Sequence, residues 1–299
     1  MEETEYIWMN GEFVKWSDAT VHVLCHTLHY GAGAFEGIRA YSTDKGPAIF
    51  RLKEHIERLF YSTKAIGHEI PFSADEINTA IVELVRKNKL EHCYIRPLAY
   101  FGYGKMGLNP TGAPNELMIA CWPWGAYLPH AMVDLKLSSY IRIHPKSTIT
   151  DAKICGHYVN GILAVKELIG TKYHEALFLD LEGNIAEGPG ENIFIVKGGK
   201  ALTPPLGTIL DGITRDTVRS LLQDQGITLE EKHISLDDLK NADEAFFTGT
   251  AAEIAPIRSI DDHVIGSGEI GDITKGTRKR YLDVVQGKDS AYEKYLTYV

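Results

Sequence analysis

The sequence predicts a two-domain protein of mixed α and β structure, and three observations carry that expectation. Its 299 residues suffice for one large or two medium domains. Helix-period and strand-period segments interleave along the chain, the second half being richer in strands. Between the halves lies Trp122-Pro-Trp-Gly-Ala-Tyr-Leu-Pro-His130, whose Pro, Gly and aromatic content suits a connection better than an element interior. We therefore expect an N-terminal α/β domain over 1–121, a linker loop over 122–132 and a C-terminal domain over 133–299.

The elements follow in order. Residues 6–16 read as a hairpin turning at Asn10-Gly11, a strong two-residue turn signal. Residues 52–65 read as a helix, with Leu52, Ile56, Leu59, Phe60 and Thr63 on one face. Arg58 falls opposite that stripe, so periodicity alone makes it a solvated side chain. Ser73-Ala-Asp-Glu76 is a capping box opening a second helix, whose stripe is Ile77, Ala80, Ile81, Leu84 and Val85. Strands follow over 94–101 and 117–122. The second half has expected strands over 135–143, 175–180, 192–196 and 201–203, the last two pairing across Gly198-Gly199. Helices are expected over 159–169, 214–225 and 273–285, the first two stopping at Gly170 and Gly226.

Composition narrows the function classes. With 44% hydrophobic and 24% charged residues the chain reads as an ordinary soluble protein. Its net charge of -9 disfavours nucleic acid and anionic membranes as partners. The densest basic run, Lys275 to Arg280, is short and broken by Gly276 and Thr277. The acidic start, Met1-Glu-Glu-Thr-Glu-Tyr6, lacks the features of a signal peptide, and no apolar run nears the ~20 residues of a membrane span. Cys25, Cys93, Cys121 and Cys155 are scattered, which fits reduced thiols in the cytoplasm.

Several constellations could carry chemistry. His22, Cys25, His26 and His29 have metal-like spacing, but nothing completes a ligand set, and no metal is expected. Gly102-Tyr-Gly-Lys-Met-Gly107 matches a dinucleotide-binding spacing, yet Pro110 and Pro114 follow where a helix would be needed. It remains a candidate glycine-rich loop. In Leu210-Asp-Gly-Ile-Thr-Arg-Asp216, the amides of Ile213 and Thr214 at a helix start could bind an anion, or Thr214 could simply cap the helix. Phe247-Thr-Gly-Thr-Ala-Ala-Glu253 is a strand entering a turn of small residues, either an anion-binding turn or an ordinary one. Lys153 sits beside Ala152, Ile154 and Cys155, and partial burial there would depress its pKa and favour covalent amine chemistry. Glu187 lies among glycines that would allow close approach of another group.

Taken together and in order, these motifs resemble the branched-chain aminotransferases, pyridoxal-phosphate enzymes of fold type IV. The segments are Tyr30-Gly-Ala-Gly-Ala-Phe-Glu-Gly-Ile-Arg39, Tyr94-Ile-Arg-Pro-Leu98, Pro123-Trp-Gly-Ala-Tyr127, Ala152-Lys153, Glu187-Gly-Pro-Gly-Glu-Asn192, Gly212-Ile-Thr-Arg-Asp216 and Gly249-Thr-Ala-Ala-Glu253. The resemblance runs from about Tyr6 to Arg280. It implies an α+β fold with a smaller N-terminal α/β domain and a larger C-terminal pseudo-barrel domain.

It also implies roles. Lys153 would be the Schiff-base lysine for pyridoxal 5'-phosphate. Arg58, Ile213, Thr214 and Thr250 would bind the cofactor phosphate, Glu187 the pyridine nitrogen and Tyr158 the ring hydroxyl. Tyr30, Phe35, Gly37, Tyr94, Arg96, Trp124, Tyr127, Thr250, Ala251 and Ala252 would form the substrate pocket. Arg96 would answer the carboxylate of an acidic substrate, and the aromatic residues an apolar side chain. The implied reaction is reversible amine transfer from L-leucine, L-isoleucine or L-valine to 2-oxoglutarate, in a homodimer or a hexamer built as a trimer of dimers. The sequence departs from the family pattern at Ile154, Cys155 and His157, which leaves the lysine's role intact. The alternatives of the same fold are a D-amino-acid aminotransferase, an (R)-amine transaminase and an aminodeoxychorismate lyase. An inert pyridoxal-phosphate-binding protein is the alternative of another class.

Overall fold

The structure, a computed structural model, describes residues 2–125, 128 and 130–299. The chain divides into two compact units, Met1–Gly125 with Ala152–Gly156 and Val284–Val299, and Ala126–Asp151 with His157–Asp283.

In the first unit, β1 (Tyr6–Met9) and β2 (Glu12–Lys15) form the expected hairpin. Asn10 and Gly11 both take positive φ, as the two central residues of such a turn must. Then come α1 (His26–Tyr30), β3 (Gly33–Phe35), β4 (Ile38–Thr43), β5 (Gly46–Phe50), α2 (Leu52–Ala65), α3 (Ala74–Lys87), β6 (Cys93–Phe101) and β7 (Asn115–Trp122). The sheet runs β5-β4-β6-β7-β1-β2, with β3 on β6. Strand alternation gives it two different faces. Ile95, Ala99, Leu117, Ile119 and Cys121 join Leu52, Ile56 and Leu59 of α2 and Ile77, Ile81 and Leu84 of α3 in one core. Each such aliphatic side chain stabilises the fold by roughly 1.5–3 kcal/mol. The opposite face carries Tyr94, Arg96 and Trp122, with Tyr94 and Trp122 directly paired. The loop containing Gly102 to Gly107 joins the antiparallel β6 and β7, so it has no place in a βαβ dinucleotide site.

The second unit contains β8 (Val133–Leu137), α4 (Tyr158–Lys166), β9 (Glu175–Leu177), β10 (Asn192–Lys197), β11 (Lys200–Thr203), α5 (Ile213–Asp224), β12 (Leu229–Glu231), α6 (Leu236–Lys240), β13 (Glu244–Gly249), β14 (Glu253–Ile260), β15 (His263–Val264) and most of α7 (Asp272–Val285). Its sheet runs β12-β11-β10-β13-β14-β8-β9, with β15 on β14. The strand expected over 135–143 stops at Leu137. Beyond it the Glu167 carboxylate accepts from the Ser138 hydroxyl (2.8 Å) and the Ser139 amide (3.1 Å), drawing the backbone off the ladder. Phe178 and Asp180 likewise leave β9 to bond with Glu187 and Asn184. The Ile185 amide then donates to the Ile234 carbonyl (2.7 Å), and the Lys232 amide to the Thr203 carbonyl (3.1 Å). The first of these bonds links the segments that follow the two edge strands, β9 and β12, and the second continues the β11–β12 pairing. Among the described residues no helix is long and apolar enough to cross a membrane.

The chain rejoins the first unit twice, which differs from the contiguous division expected at 121 and 133. The segment around Lys153 is held by backbone bonds to β3 and by an Ala34–Ile154 bridge. Near its end, β16 (Leu296–Tyr298) pairs antiparallel with β5 and extends the first sheet. Hydrogen bonding along strand edges decides membership here, and a periodicity reading does not register it.

Candidate active site

In the first unit Lys153 is fixed from both sides of its own peptide. Its amide donates to Ser62 Oγ (2.9 Å) on α2, and its carbonyl accepts from the Phe35 amide (3.1 Å). Its Nζ lies 5.0 Å from the centre of the Phe35 ring. Arg58, one turn before Ser62 on α2, is not solvated: its side chain is 12% exposed. Its Nε and Nη2 donate to the two oxygens of Glu36 at 2.7 and 2.9 Å. Glu36 is fully buried in the connection from β3 to β4, and His55 Nδ1 donates to it at 2.7 Å. The helix is therefore buried on two sides, by the core stripe and by this polar cluster, and only the first has an apolar period.

Burial would raise the Glu36 carboxyl, but the Arg58 charge and the bonds from His55 and Arg58 outweigh it. They hold Glu36 well below the usual carboxylate range. Burial pushes the His55 pKa down against the opposing bond to Glu36. Glu36 lies in a quoted motif without an assigned role, and His55 carries no sequence signal of its own. Their place beside Arg58 depends on packing.

The outer face of the same sheet gathers Phe35, Gly37, Tyr94, Arg96 and Trp124. The Arg96 guanidinium carbon lies 4.5 Å from the Phe35 ring centre, 5.3 Å from that of Tyr94 and 6.0 Å from that of Trp122. Arg96 Nη2 donates to the Tyr94 hydroxyl at 3.2 Å. Gly37 is required there, since a Cβ would meet that hydroxyl at 1.9 Å. Tyr94 and Trp124 rings lie 5.1 Å apart. Tyr30 is placed differently, on α1, with its ring against His26 (4.6 Å) and its hydroxyl accepting from the Gly107 amide (3.1 Å). Tyr127 lies outside the described residues. The metal-like residues have local partners. Cys25 Sγ bonds the Phe101 carbonyl, His26 Nε2 that of Gly107 and His29 Nε2 that of Val23.

In the second unit Glu187 is a buried acid. Only 3% exposed, it accepts from Arg142 Nε (2.6 Å), Asn192 Nδ2 (2.9 Å) and the Leu210 amide (3.1 Å). Three donors, one of them charged, surround the carboxylate. Glu187, Arg142 and Tyr158 line one cleft with Asn192 and Leu210. Asn192 pairs with Thr248 across β10 and β13 and touches Gly212, where a Cβ would meet Asn192 Oδ1 at 2.0 Å. That contact brings the start of α5 beside Glu187. Gly212 is the N-cap, without a side-chain cap bond, so Ile213 and Thr214 occupy the first turn and Thr214 does not cap the helix. Both are buried. At the same end of the sheet, residues 250–252 form the turn from β13 to β14, containing Thr250, Ala251 and Ala252. In the sequence Arg142 carries no signal, and Asn192 has a place in a motif but no role, because each holds another residue.

Each unit by itself offers groups suited to part of pyridoxal 5'-phosphate. A clamped, buried carboxylate suits a ring nitrogen that must stay protonated. The first turn of α5 and the small-residue turn at 250–252 present amides suited to a phosphate. The primary amine of Lys153 suits the aldehyde.

Comparison with known proteins identifies the family. Residues 33–260 match the family profile described as amino-transferase class IV. The chain is 48% identical to the branched-chain-amino-acid aminotransferase of Pseudomonas aeruginosa, over 98% of this chain and 97% of that one. It superposes on the branched-chain aminotransferase of the archaeon Thermoproteus uzoniensis, crystallised with norvaline, at a TM-score of 0.95, with 43% identity over 99% of each chain. The branched-chain amino acid aminotransferase of Thermobaculum terrenum, in its PLP-bound holo-form, gives a TM-score of 0.92 and 37% identity, again over 99% of each chain.

Proposed function

The chain belongs to the branched-chain-amino-acid aminotransferases of class IV, and from that premise we propose the reaction and the role of each residue. It transfers the amine of L-leucine, L-isoleucine or L-valine to 2-oxoglutarate, reversibly and with ping-pong kinetics. When bound, pyridoxal 5'-phosphate supplies an electron-withdrawing ring that stabilises negative charge at the substrate's α-carbon.

The chain's own residues do the rest. Lys153 would hold the cofactor, and its amine, when free, would take and return the α-proton. Glu187 keeps the proton on the ring nitrogen through a charge-assisted hydrogen bond, and Tyr158 bonds the ring hydroxyl. Arg58, Ile213, Thr214 and Thr250 bind the phosphate. Phe35, Tyr94, Trp124, Tyr127 and Tyr30 receive a branched apolar side chain, and Gly37 leaves room for the Tyr94 hydroxyl. Arg96 receives the side-chain carboxylate of glutamate or 2-oxoglutarate, and the turn of Thr250, Ala251 and Ala252 the α-carboxylate. We further place the enzyme in the cytoplasm as a homodimer, or a hexamer of three dimers.

The observation that carries the reading is Glu187, a buried acid clamped by Arg142, Asn192 and the Leu210 amide. A ring nitrogen that must stay protonated needs a charged acceptor held in this way. The test is amine transfer by the purified protein with pyridoxal 5'-phosphate. L-Leucine with 2-oxoglutarate should yield glutamate. A colourless preparation, or one that prefers D-alanine or (R)-phenylethylamine as donor, contradicts the proposal.

A further inference from the structure

A substrate pocket that takes an isobutyl group and a carboxylate in turn needs donors that can be left without an acceptor. The outer face of the first sheet contains such donors. Among the described residues, Arg96 Nε, Trp122 Nε1 and Trp124 Nε1 are buried and have no hydrogen-bond partner. Trp122 is 6% exposed, and its ring lies 5.3 Å from Tyr94, 5.9 Å from Trp124 and 6.0 Å from the Arg96 guanidinium carbon. It stands opposite Tyr94 in register, on the face that carries Arg96.

Buried donors are rarely left unmade, because each forfeits its hydration. Three of them beside one another call for a single missing acceptor. A carbonyl would satisfy an indole N–H but leave the guanidinium charge unanswered. A carboxylate satisfies both, offering two oxygens to donors of both kinds. The aromatic rings around the guanidinium meanwhile give an apolar side chain a surface to pack on when no acid is present.

We infer that Trp122 is a specificity-determining residue: its indole N–H, with Arg96, receives the distal carboxylate of the dicarboxylic substrate. This rests on the proposed function and sharpens it by dividing labour on one sheet face. Arg96 supplies charge. Trp122 supplies a neutral donor that is lost without loss of aromatic shape in Trp122→Phe.

The test compares wild type and Trp122→Phe, each loaded with cofactor. Steady-state kcat/KM is measured with 2-oxoglutarate and with 4-methyl-2-oxopentanoate as acceptors. Binding of glutarate and of 4-methylvaleric acid is measured separately by calorimetry. The inference predicts a loss of about 10-fold or more for 2-oxoglutarate, mostly in KM, and similar weakening of glutarate. The apolar acceptor and 4-methylvaleric acid should change by less than about twofold. The melting temperature should hold or rise, since an unpaired buried donor has been removed. Equal losses for both acceptors would reduce Trp122 to a packing role, and no change for either would remove it from the site. Both overturn the inference. If wild type transfers no amine, the functional proposal fails, and the two binding measurements still decide whether Trp122 selects a dicarboxylate.

Discussion

Arg58 shows how a residue's surroundings can reverse what its position in a helix suggests. Its guanidinium is bound by a fully buried Glu36, so removing it strands a charge in the interior. Arg58→Ala should destabilise the protein by roughly 3–5 kcal/mol in urea unfolding, well beyond a surface ion pair. Glu175 points the other way. Burial raises its carboxyl to about 7, against a bond from the Ala176 amide. Because its folded pKa lies above the unfolded one, the stability it confers is fully present below about 4.3 and is lost as the pH rises through about 7. Glu175→Gln should therefore be more stable than wild type at pH 8 by roughly 1–3 kcal/mol, with the advantage shrinking toward pH 5. Urea midpoints at the two pH values check this. Of the site residues, Lys153 and Glu187 stood out only through their ordered company in the sequence. Arg142 and His55 carry no sequence signal, and Glu36 and Asn192 lie in quoted motifs without an assigned role, because positioning another residue leaves no pattern of its own.

Elements with local causes were the most legible. The hairpin at Asn10-Gly11 and the helix α2 formed where turn chemistry and apolar period required. The capping box of α3 is complete, with the Glu76 amide donating to Ser73 Oγ and the Ser73 amide to the Glu76 carboxylate. Ser73→Ala should lower stability by roughly 1 kcal/mol in thermal or urea unfolding without altering amine transfer. Elements with distant causes were read less well. The strand over 135–143 ended early because a glutamate 28 residues from Ser139 captures its amide. The capping reading of Thr214 failed because Gly212, pressed against Asn192, begins the helix two residues sooner.

For the whole molecule, the mixed α and β character and two units were legible from length and patterning, but their membership was not. The first unit reclaims 152–156 and 284–299 through backbone bonds that no composition shift announces. Its last strand covers the outer edge of β5. Removing residues 288–299 should expose that edge, lower the melting temperature and promote aggregation, as light scattering on heating would record. The alternation of β6 and β7 matters at this scale too. One face builds the core, leaving the other to gather Arg96 and its aromatic neighbours.

The central claim, that Lys153 holds the cofactor, has one direct measurement. The protein is incubated with pyridoxal 5'-phosphate, reduced with borohydride, digested and mapped by mass spectrometry. The pyridoxyl phosphate adduct should lie on the peptide containing Lys153 and be lost in Lys153→Ala. An adduct confined to another lysine, or none at all, would contradict it.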